Sequence, residues 1–348
     1  MPDTPPPAKT RAPGRRASIT VHDVARLAGV SAITVSRALN TPAQVSAETL
    51  QRVRDAVQRT GYVPNLLAGG LRSSKSRLVA AVVPTLAGPV FLETIEALTA
   101  ALAERGYQLM LGQSGYADSR EDALLDAIIG RRPDGIVLTG VMHTPDARQR
   151  LLACGIPVVE TWDLTPTPID MLVGFSHKRI GEEVCEYLHR KGCRRPVLIS
   201  GDDARARRRH EGFVRAAARL GMTGATATVP TWWVPAPAKL PGGREGLTRL
   251  LAEHPGLDGV FCSSDLLALG VLTEAQARGL SVPRDFAVVG MGDLDFAASL
   301  HPALTTVRID GTRIGRTSAA FIVDRAEGRA VAEPVVDIGF ALVERHSA

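Results

Sequence analysis

The residues best suited to chemistry lie in ITVHDVARLAGVSAITVSRALN, positions 19–40. Val21, Val24, Ala25 and Leu27 recur at helical spacing as an apolar face, Gly29 permits a tight turn, and Ser31 can cap a second helix. That order predicts a helix-turn-helix. Val30 and Val35 then pack between the helices, while Ala32, Ile33, Ser36 and Arg37 face outward near the start of the second helix, the end that enters a DNA major groove. Arg37 can donate two hydrogen bonds to a guanine edge, and Ala32 or Ile33 can meet a thymine methyl. Ser31, Thr34, Ser36 and Asn40 suit phosphate oxygens, which position a protein without specifying sequence. A third helix is expected over AETLQRVRDAVQRTG, with Ser46 as its cap. A helical hairpin with a different partner is the alternative.

Other reactive constellations are scarce. Trp162, Trp232 and Trp233 fall in predicted loops or strand ends, where an indole can stack on an apolar ligand face or fill a core. Ser176 and His177 are adjacent in the chain, an arrangement that rarely makes a nucleophile and its base, so the pair is expected to be structural. With no phosphate-loop, Gly-x-Ser-x-Gly or His-x-x-x-His pattern, the chain reads as a non-enzyme needing no metal or cofactor. Cys154, Cys185, Cys193 and Cys262 are widely spaced, which argues for buried, reduced thiols over a zinc site or a disulfide framework.

Charge separates the two ends of the chain. Residues 1–77 carry twelve Lys and Arg against four Asp and Glu, leaving a net charge of −3 for the other 271 residues. A basic end on a mildly acidic body suggests contact with a polyanion, since each phosphate neutralised releases condensed counterions; a solvated tail would look the same. No apolar run approaches a membrane span and the start lacks the apolar core of a signal peptide, so a cytoplasmic location without membrane contact is expected.

The elements that must position these residues follow from periodicity. Residues 1–18, rich in Pro, Ala and Arg, read as a disordered basic tail; 19–63 as the helix-turn-helix domain; 64–76 as a Gly- and Ser-rich hinge. From 77 to 348 short Val, Ile and Leu runs alternate with amphipathic segments, the pattern of βαβ units. LVAAVVP through IPVVET forms one series, and IGEEVCEYLHRKG through DFAVVG a second, with ATATVP among its expected strands. Two open sheets imply two lobes with a cleft, ligands binding beyond the strands' carboxyl ends. Thr85 and Phe91 would lie on its rim, as would Asp163, which follows IPVVETW.

VHDVARLAGVSAITVSRALN followed by VSAETLQRVRDAVQRTGYVPN resembles the headpiece of the LacI/GalR family of repressors. The resemblance implies an all-α helix-turn-helix headpiece plus a two-lobed α/β, periplasmic-binding-protein-like domain that senses a small effector. It also implies that NLLAGGLRSSKS becomes a hinge helix on operator DNA, with Leu71 at the family's intercalating position and Asn65 and Ala68 at other hinge positions. Gly69 and Gly70 weaken such a helix by about 1 kcal/mol each, so free hinges should be unfolded. SSDLLALGVLTEAQARGLSVPRDFAVVGMGD is similar to the family's sensor: by position Asp265 matches its acidic ligand contact, and Arg209, in RRRHEGF, the arginine that reaches into the cleft. Helix capping and a solvated basic run, Arg205 to Arg209, are the bland readings of these two. TWDLTPTPIDMLVGFSH and GMGDLDFAASLHPALTTVRI resemble gluconate-utilisation repressors, implying a sugar acid or its phosphate as effector. The sequence ends soon after VVDIGFALVERHSA, without the helix that makes some members tetramers, so a homodimer on two-fold operator DNA is expected. The same family also contains sensors of neutral sugars and regulators that use their ligand as corepressor. A soluble sugar-binding protein would share the sensor fold but has no use for residues 19–62.

Overall fold

A computed structural model of the chain describes residues 19–63, 75–86, 89–115, 118–141, 143–222 and 228–348. It divides into two compact units, Met1–Ser74 and Lys75–Ala348. In the first, α1 (Val21–Ala28), α2 (Ala32–Asn40) and α3 (Ala47–Thr60) enclose a small core of Val24, Ala25, Ala28, Val35, Ala38, Val53 and Ala56. Thr20 and Asp23 start α1, the Thr20 amide donating to the Asp23 carboxylate at 3.0 Å, and Gly29 ends it at φ 65°, a left-handed conformation that a residue with a Cβ adopts at a cost. Leu27 departs from the expectation. Positions 24, 25 and 28 share the inward face at helical spacing, which turns Leu27 outward to 42% exposure and gives its expected place to Ala28.

The second unit contains two sheets, each with six strands among the described residues. The first has the order β11-β5-β4-β3-β1-β2, built from β1 (Leu78–Val83), β2 (Gln108–Gln113), β3 (Gly135–Thr139), β4 (Val158–Thr161), β5 (Met171–Gly174) and β11 (Val335–Asp337). The second has the order β12-β10-β9-β8-β6-β7, from β6 (Pro196–Asp202), β7 (Thr231–Pro235), β8 (Gly259–Cys262), β9 (Ala287–Met291), β10 (Thr305–Arg308) and β12 (Ala341–Val343). Pairings are parallel except β10 with β12. The continuous burial of β1, β3, β4, β5, β8 and β9 follows from helices on both faces. Those helices are α4 (Leu92–Glu104), α5 (Asp118–Ile129), α6 (Pro145–Ala153) and α11 (Gly311–Ala326) in the first lobe, with α7 (His177–Arg190), α8 (Ala204–Arg219), α9 (Leu240–Glu253) and α10 (Asp265–Ala277) in the second.

Two features differ from what periodicity alone predicts. The strand expected at ATATVP begins outside the described residues, and its described part, 228–230, precedes the observed strand Thr231–Pro235, whose pairing with β6 sets Leu198 opposite Thr231 and Ile199 opposite Trp232. The two series are also not separate in the chain: it crosses between lobes at 175–176, at 309–310 and again at 338–340. These crossings gather at one edge, beside β5 and β11 of one sheet and β10 and β12 of the other. That edge is the hinge side of the cleft. Lys75 and Ser76, expected at the end of the hinge segment, belong to the second unit, where the Ser76 amide and hydroxyl donate to Asp134 at 2.8 and 3.0 Å. The basic tail at 1–18 and Asn65, Ala68, Gly69, Gly70 and Leu71 lie outside the described residues. Among the described residues no helix is long and apolar enough to cross a membrane.

Candidate DNA-reading helix and ligand cleft

Helix α2 is capped by Ser31, whose hydroxyl accepts from the Thr34 amide at 3.1 Å and lies 2.9 Å from the Thr34 hydroxyl. Val35 and Ala38 are buried, which leaves Ile33, Arg37 and Asn40 on the opposite, exposed stripe, with Ile33 61% exposed. Ala32, Thr34 and Ser36 are half-buried at its flanks. The Asn40 amide donates to the Ser36 carbonyl at 2.9 Å, holding it along the helix. Ser46 caps α3, accepting from the Thr49 amide at 3.3 Å. The stripe thus offers an apolar tip, a guanidinium and an amide in one line, the groups that base edges and phosphates accept.

In the second unit, a cavity of about 110 Å³ opens between the lobes. Thr85, Phe91 and Trp162 reach it from the first lobe; His177, Arg205 and Arg209 reach it from the second, and Met291 and Leu294 close one wall. Arg205 and Arg209 are one helical turn apart on α8, so both face the cavity while Arg207 and Arg208 diverge from it. Arg205 lies 5.3 Å from the Phe91 ring, and its Nη1 is 3.4 Å from the Thr139 carbonyl of the opposite lobe. Trp162 holds a left-handed φ of 66°, rare for a bulky residue and costing on the order of 1–3 kcal/mol. Its surroundings enforce that conformation. The indole donates to Thr94 at 3.2 Å, edges meet Phe91 and Phe175 with centroids 4.9 and 5.6 Å apart, and the Trp162 carbonyl lies 2.9 Å from His177 Nε2.

His177 is the residue that sequence reasoning placed outside the site. A carbonyl at Nε2 requires that nitrogen to carry the proton, leaving Nδ1 to accept from Arg209 Nη1 at 3.0 Å. Burial, reinforced by the charges of Arg209 and Arg205, pushes the imidazole pKa well below its usual value. A neutral ring therefore braces Arg209 against the first lobe. Its neighbour Ser176 caps α7 by accepting from the Arg179 amide at 3.3 Å, so the two side chains do not act as a nucleophile and base. Arg205 was also missed; its signal was the four-residue spacing from Arg209 within ARARRRH.

Three residues expected at the ligand fall elsewhere. Asp265 is fully buried and does not line the cavity: its carboxylate accepts from the Thr306 hydroxyl at 2.6 Å and the Leu294 amide at 2.8 Å. Burial pushes its pKa up to about 6 against the pull of those two bonds. Gly290 makes room for it, since a Cβ there would stand 2.2 Å from Oδ1. Asp265 thus anchors the wall residue Leu294. Asp163 is taken by Arg208 at 2.7 Å, an ion pair between lobes outside the cavity, and burial raises its pKa despite that partner. Trp232, near the start of edge strand β7, packs against the core of the second lobe, and Trp233 stacks beneath Arg207 at 4.9 Å.

A buried charge cluster supports the first lobe. His143 Nδ1 lies 2.6 Å from Glu121 and Nε2 3.4 Å from Glu160. Burial alone would keep the ring neutral, but hydrogen bonds and charge from the two carboxylates outweigh it and push the pKa up to about 9. Because the folded value exceeds the unfolded one of about 6.5, the stabilisation is complete below pH 6.5 and is lost as pH rises through 9. Thermal melts from pH 6 to 9.5 should show this loss in the wild type and its absence in His143→Gln. Parallel curves for the two proteins would contradict the assignment.

A three-helix headpiece with an exposed second helix, followed in the chain by a two-lobed α/β unit with three crossings and a basic cleft, defines a class. The chain belongs to the LacI family of bacterial regulatory proteins and is a DNA-binding transcriptional regulator. Residues 20–65 match the bacterial regulatory proteins of the lacI family, and residues 185–348 a periplasmic binding protein-like domain. Over 97% of both chains it is 39% identical to the HTH-type transcriptional regulator GntR of Pseudomonas aeruginosa. Among solved structures, a LacI-family transcriptional regulator from Silicibacter pomeroyi is 31% identical, with a TM-score of 0.88 over 94% of this chain and 99% of the other. GntR from Chromobacterium violaceum is 34% identical, with a TM-score of 0.74 over 78% and 98%.

Proposed function

We propose that the protein is a cytoplasmic, homodimeric repressor that an anionic sugar-derived effector, a sugar acid or its phosphate, releases from operator DNA. The observation that carries the effector class is the pair Arg205 and Arg209, one turn apart and facing a cavity with aromatic and apolar walls. Guanidinium forks suit a carboxylate, and a dry wall strengthens the attraction. Similarity to regulators named GntR accords with the resemblance to gluconate-utilisation repressors carried by TWDLTPTPIDMLVGFSH. Thr85, Phe91, Trp162 and Arg209 serve as effector contacts, joined by Arg205 and braced by His177. Residues 1–18 serve as a basic tail, 19–63 as the DNA-reading domain, 64–74 as the hinge and 75–348 as the sensor.

On DNA, Ile33 and Arg37 read bases, while Ser31, Thr34, Ser36, Asn40 and Ser46 hold phosphates and Ala32 packs at the groove. Asn65, Ala68 and Leu71 engage the minor groove. Effector binding and operator binding oppose each other by equal free energies, as linkage requires. Thermal-shift screening of sugar acids, their phosphates and neutral sugars, followed by operator gel shifts with each hit, tests this function. Stabilisation by neutral sugars alone, or tighter operator binding in the presence of a hit, would overturn the anionic effector or the release. Arg37→Ala should cost about 1–3 kcal/mol on the operator and relax preference at one base pair, measured by binding to a set of single-base operator variants. Equal weakening on every variant would make Arg37 a phosphate contact.

A further inference from the structure

The cleft does not stop at Arg205. On the side away from the crossings lies a second chamber of about 290 Å³, and Arg205 and Asp203 line both. The inner chamber touches the ends of β4 and β9, near the hinge edge; the outer one lies over the ends of β1, β2, β3 and β6. Their linings differ in kind. The inner walls are largely aromatic and apolar, whereas the outer chamber is rich in acceptors: Glu121, Asp202, Asp203 and the backbone at Thr139 and Gly140. Its other cationic groups are already neutralised locally, His143 by Glu121 and Arg207 by Asp202.

We infer that the outer chamber is a hydroxyl-binding subsite that reads the length of the effector, so that the ligand is an extended polyhydroxy acid with its carboxylate at Arg209 and its hydroxyl-bearing tail beyond Arg205. The inference rests on the anionic-effector reading above. Carboxylates already paired with cations still offer lone pairs to hydroxyl donors, and hydroxyls need no counterion. With His143 and Arg207 already paired to carboxylates, a second anion at the tail would have to share Arg205 with the inner chamber. Chain length therefore converts into affinity through hydroxyl contacts in the outer chamber.

Calorimetric titration of the full-length protein with D-glycerate, D-threonate and D-gluconate tests this. Affinity should rise by about tenfold or more from the three-carbon to the six-carbon acid. Ala204→Leu, at an exposed position lining only the outer chamber, should remove most of that gain while leaving glycerate affinity and operator binding unchanged. Glu121→Gln, which keeps the shape and an acceptor, should reduce the gain less. Equal affinity for all three acids, or an unaltered series in Ala204→Leu, overturns the outer subsite and leaves the anionic reading intact. Tighter binding of a tail-phosphorylated acid than of gluconate makes the chamber an anion site and overturns the hydroxyl assignment. No binding of any acid to the wild type removes the underlying reading.

Discussion

Arg209→Ala should abolish the effector response while leaving operator affinity unchanged. The Arg209 guanidinium is buried, faces the cavity and is held by the neutral His177 ring at 3.0 Å. A preorganised fork of this kind loses little freedom on binding, so its removal forfeits nearly the full charge-assisted interaction. Deleting one partner of a buried, hydrogen-bonded charge pair costs about 2–5 kcal/mol, which predicts a fall in affinity of roughly thirtyfold or more. Calorimetry and operator gel shifts with and without effector separate the two functions. His177→Ala should weaken the same ligand less, because Arg209 stays charged but loses its brace. Unchanged effector affinity in Arg209→Ala would remove α8 from the site.

The second large effect is expected from a residue that touches no ligand. Helices α7 and α8 cross at backbone contact distance: a Cβ on Gly181 would stand 1.9 Å from the Arg209 carbonyl, and one on Gly212 2.0 Å from that of Lys178. Neither obstacle is a flexible side chain. Gly181→Ala must therefore push α8 off α7, at a cost of about 3 kcal/mol and a Tm loss of roughly 10 °C for the sensor unit. The displaced helix carries Arg205 and Arg209, so effector affinity should fall with stability. A wild-type melting curve for Gly181→Ala would show that the helices can separate freely and would contradict the close crossing.

Local signals carried the headpiece. Gly29 at φ 65°, Ser31 and Ser46 as caps and the outward Ile33 and Arg37 all follow from short-range rules in which neighbours on one helix decide the outcome. Leu27 failed because two adjacent apolar positions compete for one face, and only packing against α3 selects Ala28. In the sensor, alternation of apolar runs was enough for two open sheets but not for the three crossings, since a strand that changes lobe has the same periodicity as one that does not.

Sequence alone determined that a capped second helix turns Ile33 and Arg37 outward and that a βαβ body offers a cleft, because periodicity, turns and caps act between residues a few places apart. Tertiary structure decided which polar groups enter that cleft. Asp265 turned inward to Thr306, Asp163 was claimed by Arg208, Trp232 by the lobe's core, and His177 and Arg205 came to the cavity instead. The physical reason is that a buried polar group must find a partner, and the nearest one in space is set by strands and helices distant in the chain.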